Sequence, residues 1–142
     1  MNYLDAIKAE PCNYNIKSII ANSDTLSNHT KDKMEKYFQV PTLSRYSSME
    51  CGMLAQQNYS GGYEFDINWA SFYVELLDLE EDKPAKPGEM GRVVITDLFN
   101  YCMPLIRYNT GDLAFLSPNT REENGPPVLE RIEGRKVDLI KD

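Results

Sequence analysis

The spacing of apolar positions changes partway along this chain. Near the start, "NYLDAIKAE" sets Leu4 and Ile7 at helical spacing. "IKSIIA" (16–21) is a short β-branched run of strand length, and "NSD" breaks it. A second helical pattern predicts a helix from Leu26 to Phe38, with Leu26, Met34, Tyr37 and Phe38 as its apolar positions. Gln39-Val40-Pro41 ends it, because proline cannot continue a helix. "TLSRYSS" is the next strand candidate. This β-α-β order predicts a parallel pair with a helix packed over it.

Beyond Gly61-Gly62 the spacing becomes two-residue. "ASFYVELLDL" alternates around Phe72, Val74 and Leu76, and "RVVITDL" is the next strand candidate. Between them lies the charged, proline-bearing loop "EEDKPAKPGEMG", so the two runs predict an antiparallel pair with a long connection. "CMPLIRY", "DLAFLS" and "VLERIEGRKVDLI" supply further strand candidates, and "PNTREENGPP" is a second polar loop. The expectation is an α/β portion followed by a β-rich portion.

Composition narrows the function classes. The chain has 142 residues, 42% hydrophobic, enough for a core. The formal net charge of -7 argues against a nucleic-acid partner, which would call for a basic face. A single nucleotide is compatible with it, since backbone amides, one cation or a metal can meet the phosphates. Cys12, Cys51 and Cys102 are widely spaced and His29 is the only histidine, which argues against zinc. The odd cysteine count and the lack of a signal peptide suggest a cytoplasmic setting. No run approaches the roughly 18 apolar residues of a membrane span.

Three stretches carry candidate chemistry. In Tyr46-Ser47-Ser48-Met49-Glu50, hydroxyls and free amides could meet a phosphate and the tyrosine face could cover a purine. Such stacking is worth about 1–3 kcal/mol. The carboxylate of Glu50 could hold Mg²⁺, which bridges to phosphate oxygens. The competing reading is a strand-to-helix turn with Ser47 or Ser48 as N-cap. In Arg107 to Asp112, two carboxylate oxygens could accept both hydroxyls of a ribose, with Gly111 allowing a sharp turn. An ordinary β-turn would also use Gly and Asp. Arg135, after Gly134, could reach a sugar or phosphate, or be a solvated surface charge.

Taken in order, these stretches resemble the adenylate-forming superfamily of acyl-CoA synthetases. "YSSME" stands where that family has Tyr-Gly-x-Thr-Glu. "YNTGD" is similar to its Tyr-Arg-Thr-Gly-Asp, and "EGRKVDLIKD" to its Gly-Arg-x-x-Asp hinge segment. "KPGEMGRVVITDLFNYCMPLIRYNTGDLA" resembles the phenylacetate–CoA ligase branch, and "YSSMECGMLAQQ" the CapK-type capsular polysaccharide proteins within it.

The resemblance implies a partial Rossmann-like α/β portion (1–60), an antiparallel β-barrel-like portion (61–133) and a hinge (134–142) to a further domain. It implies an ATP-dependent ligase that joins a small carboxylic acid to AMP and then to the thiol of CoA. Asp112 would hold the ribose, and Tyr46 would lie against adenine, with adenosine between the two. Ser47, Ser48 and Met49 would line the phosphates, Glu50 would hold Mg²⁺, and Arg135 would reach ribose or phosphate from the hinge side. Asp24, in Asn22-Ser23-Asp24, falls on the family's Ser-Gly-Glu segment, whose backbone lines the adenine pocket.

Met49 replaces the usual threonine, Asn109 the usual arginine, and Val137-Asp138 the usual two acids. No glycine-rich phosphate loop ending in lysine precedes these motifs, and the adenylation lysine belongs to a further domain. The expectation is therefore a piece of a ligase, inactive alone, whose exposed strand edges would favour a homodimer. The other readings are a non-catalytic nucleotide-binding or interaction module, and a globular domain with no ligand.

Overall fold

The computed structural model describes residues 15–60, 62–118 and 127–135. The expected helix around Leu4 and Ile7, the loop residues 119–126 and the hinge residues 136–142 lie outside them. Eight strands and one helix follow one another: β1 (Ile19–Ala21), α1 (Asn28–Phe38), β2 (Thr42–Ser48), β3 (Gly52–Gln57), β4 (Phe65–Ile67), β5 (Phe72–Leu77), β6 (Met90–Asp97), β7 (Tyr108–Leu116) and β8 (Val128–Arg135). They form one sheet in the order β1-β2-β3-β4-β8-β7-β6-β5. The mixed α+β class holds, with the parallel pair at one end and antiparallel strands through the rest.

The β-α-β unit is as expected. β1 and β2 pair in parallel, with Ile19 opposite Thr42. Ser27 starts α1 by accepting the Thr30 N–H on its Oγ, so the helix opens at Asn28 rather than Leu26. Gln39, at φ 53°, closes it in the left-handed region, and Pro41 prevents its resumption.

The buried residue of α1 is not one of the apolar positions the spacing suggested. It is Lys31, 3% exposed. Its Nζ donates to Gln57 Oε1 (3.1 Å) and to the Gly62 carbonyl (2.7 Å), and lies 5.4 Å from the centre of the Tyr63 ring. Gln57 Oε1 also accepts the Ser44 N–H at 3.0 Å, while its Nε2 donates to the Tyr63 carbonyl at 2.9 Å. A buried ammonium is tolerated only where such partners replace water. Gln57 thus joins α1, β2, β3 and the loop before β4.

Two strands escaped the sequence reading. β3 and β4 turn back on β2 as an antiparallel meander, with Ala55 opposite both Tyr46 and Ile67. "GMLAQQ" lacks the β-branched residues that mark strands; burial of Leu54 and Ala55, each 1% exposed, decides its conformation. A third difference falls at "CMPLIRY", expected as a strand. Residues 101–107 are irregular and β7 begins at Tyr108. Asp97 Oδ1 takes the N–H groups of Phe99 and Asn100, Asn100 Oδ1 takes that of Met103, and Arg107 sits at φ 48°. These local bonds divert the backbone from the ladder. Ile106 is consequently 74% exposed.

The core runs along β3 to β8 through Leu54, Phe65, Phe72, Val93, Ile95, Ala114 and Leu129. Val93, Val94 and Ile95 are consecutive and all buried, so the middle of β6 is covered on both faces. The sheet also curls. Tyr46 of β2 touches Asp112 of β7, although β3, β4 and β8 intervene in the strand order. The curled sheet includes β2 and β3, from before the expected seam at Gly61-Gly62, as well as the later strands.

Gly91 leaves no room for a side chain. A Cβ there would lie 2.8 Å from the Leu77 carbonyl oxygen and 2.9 Å from Ala85 Cβ. Gly91→Ala should therefore cost about 1–3 kcal/mol in urea unfolding. A midpoint equal to wild type would contradict this packing.

Candidate functional site

"YSSMECG" forms a β-hairpin, not the strand-to-helix turn that was the competing reading. β2 ends at Ser48, Met49-Glu50-Cys51 turn, and β3 returns from Gly52 at φ 76°. Ser48 Oγ accepts the Cys51 N–H at 3.2 Å and so braces the turn. Met49 is fully exposed and Glu50 is exposed beside it. A register shift between Tyr46 and Ser47 breaks the β2–β3 ladder just where the candidate residues start. Such bulges re-aim side chains.

Parallel pairing of β1 and β2 brings the segment after β1 beside the end of β2. Ser47 Oγ donates to Asn22 Oδ1 at 2.7 Å. Crevices beyond the carboxyl ends of parallel strands are where α/β sheets bind ligands. Asp24 is exposed there, its Oδ1 accepting the Thr25 N–H at 2.7 Å.

The second half of the site is on β7. Gly111 takes φ 82°, a left-handed value that a side chain resists. Gly111 and Asp112 lie within β7, so this is not the ordinary β-turn of the alternative reading; the β6–β7 register shifts between Arg92 and Val94, and Asn109 Oδ1 accepts the Gly111 N–H at 3.0 Å. Thr110 Oγ1 donates to the Val93 carbonyl (3.1 Å) and accepts the Asp112 N–H (3.2 Å). Sequence reasoning gave neither residue a role. A hydroxyl two positions before the candidate aspartate was the available signal.

Tyr46 and Asp112 meet directly. The Tyr46 hydroxyl donates to Asp112 Oδ2 at 2.7 Å and lies 3.3 Å from Thr110 Oγ1. Hydroxyl and carboxylate touch, so adenosine does not pass between these two groups as the sequence reading had it. The cause is local: a half-buried phenol requires an acceptor, and Asp112 is the strongest within reach. Burial pushes the Tyr46 hydroxyl far above its ordinary value of 10.0, and the neighbouring Asp112 charge adds to the rise. Arg135 stands opposite Asp112 in the β7–β8 ladder. Such cross-strand partners project to the same face.

Tyr46 and Asp112 are therefore in contact with Thr110 beside them, and Arg135 holds the ladder position opposite Asp112. Ser47 reaches Asn22, while Ser48, Met49 and Glu50 belong to the turn. One cavity of about 370 Å³ lies beside that turn, lined by Cys51, Met53, Phe72, Asp97 and Phe99 among others. Another, of about 380 Å³, is lined by Asn109, Gly111 and Leu113 with Arg92, the residues alternating with Thr110 and Asp112. Neither includes Asp112. Among the described residues no group of three His, Cys, Asp or Glu could hold a metal. Glu50 alone fits Mg²⁺ only as Mg²⁺ usually binds nucleotides, through one or two carboxylates, waters and the phosphates themselves.

No family model matches the sequence. The chain is 28% identical over 132 residues to the protein CapK of Staphylococcus aureus, covering 87% of this chain and 26% of CapK. It is 35% identical over 69 residues to the phenylacetate–coenzyme A ligase of Escherichia coli K12, covering 49% of this chain and 15% of that one. In structure it matches a 2-hydroxyisobutyryl-CoA ligase solved with 2-HIB-AMP and CoA, at TM-score 0.78 and 21% identity, over 94% of this chain and 33% of the other. A benzoate CoA ligase from Burkholderia xenovorans matches at TM-score 0.66 and 18% identity, over 94% and 28%. The chain thus has the fold found in a segment of adenylate-forming CoA ligases. Its relatives are the CapK and phenylacetate–CoA ligase proteins that the motifs resembled. It spans about a quarter of the length of CapK.

The raised ionisation of Tyr46 sets a pH signature. The folded protein resists losing the phenolic proton, whereas the unfolded chain releases it near the ordinary value of 10.0. The stabilisation from Tyr46 is complete below pH 10 and is lost as pH rises above it, by up to about 1.4 kcal/mol per pH unit. The stability gap between wild type and Tyr46→Phe should hence stay constant up to pH 10 and shrink above it. A gap that widens with alkali would contradict the burial of this hydroxyl.

Proposed function

We propose that this chain forms the adenosine-holding part of an AMP-forming acid–thiol ligase. One observation carries the reading. The Asp112 carboxylate, next to a left-handed Gly111 in β7, is paired with Tyr46 at 2.7 Å and stands opposite Arg135 in the strand ladder. A carboxylate so placed can accept hydrogen bonds from sugar hydroxyls, and a cation opposite it can meet the phosphate side. The likeness to phenylacetate–CoA ligases and CapK supports the reaction class.

In that reaction a substrate carboxylate oxygen attacks the α-phosphorus of ATP. The new P–O bond forms as the bond to the departing pyrophosphate breaks. A thiol sulfur, that of CoA, then attacks the acyl carbon and AMP leaves. The work assigned to these residues is binding and alignment, which lower the barrier by fixing the two reactants in place. Asp112 holds the ribose, the Tyr46 ring lies beside the base, and Arg135 meets ribose or phosphate. The segment with Asp24 borders the base, and Ser47, Ser48 and the Met49 backbone border the phosphates. Glu50, exposed on the hairpin turn, would be one protein ligand of Mg²⁺, whose charge offsets the repulsion between carboxylate and phosphates. No bond-making step is assigned to a residue of this chain. The adenylation lysine would come from a further domain.

The substrate is a small carboxylic acid, with phenylacetate and other aryl acids as one class and an acid of cell-surface polysaccharide synthesis as another. The free thiols of Cys51 and Cys102 suit a reducing cytoplasm. No helix among the described residues is long and apolar enough to cross a membrane.

Calorimetric titration with AMP tests the site. Asp112→Ala should weaken AMP binding by about 1–3 kcal/mol, roughly 5- to 150-fold, because ribose hydroxyls lose their acceptor. An unchanged dissociation constant would rule out the ribose role. For the metal, Glu50→Gln should raise the Mg²⁺ concentration needed for half-maximal pyrophosphate release by the full-length enzyme. A superimposable Mg²⁺ titration would remove Glu50 as a ligand.

A further inference from the structure

The Tyr46 hydroxyl has one hydrogen and two acceptors near it, Asp112 Oδ2 at 2.7 Å and Thr110 Oγ1 at 3.3 Å. The shorter contact is to a carboxylate and takes the hydrogen. Thr110 Oγ1 already directs its own hydrogen to the Val93 carbonyl and accepts the Asp112 N–H. The donors therefore run in one direction. Tyr46 fixes the carboxylate end of Asp112, and Thr110 fixes its backbone end against β6. With Oδ2 occupied and no hydrogen bond to Oδ1 among the described residues, Oδ1 is left for a ligand.

We propose that Tyr46 is a positioning residue that acts through its hydroxyl, holding Asp112 so that Oδ1 meets the ribose diol of an adenine nucleotide. This role is separate from any contact of its ring with the base. It rests on the adenosine-site reading above. The physical gain is preorganisation. A side chain already held in its binding rotamer need not be ordered when the ligand arrives, a saving of roughly two- to tenfold in affinity. The half-buried setting strengthens the bond, because little water competes for either partner.

The test is a ligand–mutant cycle by calorimetry. Wild type, Tyr46→Phe and Asp112→Ala are each titrated with AMP and with its dideoxy analogue lacking both ribose hydroxyls. Tyr46→Phe keeps the ring, so a role confined to stacking predicts no change with either ligand. The positioning role predicts AMP binding weaker by roughly two- to tenfold, with the dideoxy analogue bound as by wild type. Unchanged AMP binding in Tyr46→Phe overturns the proposal. So does an equal loss for both ligands, which would mark damage to the fold or to the base contact. If wild type binds no AMP, or Asp112→Ala binds it as tightly as wild type, the adenosine-site reading fails and this proposal with it. If Asp112→Ala weakens AMP binding while Tyr46→Phe does not, the positioning role alone fails.

Discussion

A hydrogen bond from a half-buried phenol to a carboxylate spans the interior of the curled sheet. Tyr46 and Asp112 are 66 residues apart, on strands with three others between them in the sheet. They meet only because the antiparallel strands coil toward closure. The bond does two things at once. It satisfies polar groups that would otherwise be costly to bury, and it turns the floor of the site into a fixed acceptor.

The supporting structure is arranged around that contact. The bulge follows Tyr46 in β2, and Gly111, at φ 82° within β7, precedes Asp112, which keeps its register with Arg135 of β8. Thr110 ties β7 to β6 through the Val93 carbonyl, in the middle of a strand buried on both faces. At the other end of the molecule Gln57 and Lys31 hold α1 against β2 and β3. Site and scaffold are thus coupled through β2: its first half is held by the buried polar network and its second half supplies the site. A substitution at Gln57 would disturb the path of β2 without touching a ligand.

Part of the exposed apolar surface lies in one connection. Phe99, Tyr101, Met103 and Ile106 are all exposed between β6 and β7. Asp97 and Asn100 hold that connection by capping its backbone N–H groups, so its shape comes from local polar bonds rather than from burial. The matched ligases have about three times the chain length over which this fold extends.

Much of the architecture was legible from residue order. Pro41 ends the helix, the apolar run in "RVVITD" marks β6, and the order of helix and strands implies the parallel β1–β2 pair. The motif "NTGD" pointed to Asp112 because a carboxylate has two oxygens that can accept both hydroxyls of a ribose. Three things depended on the tertiary structure. β3 is a strand because Leu54 and Ala55 are buried, not because its residues favour one. Lys31 is interior because Gln57 and the Gly62 carbonyl replace its water. Tyr46 grips Asp112 rather than facing it across a gap because the sheet curls. Local pattern reports what a segment prefers over a few residues. Which distant groups become partners is set by sheet closure and by the need to pair every buried polar atom, and neither is written in any single stretch of the chain.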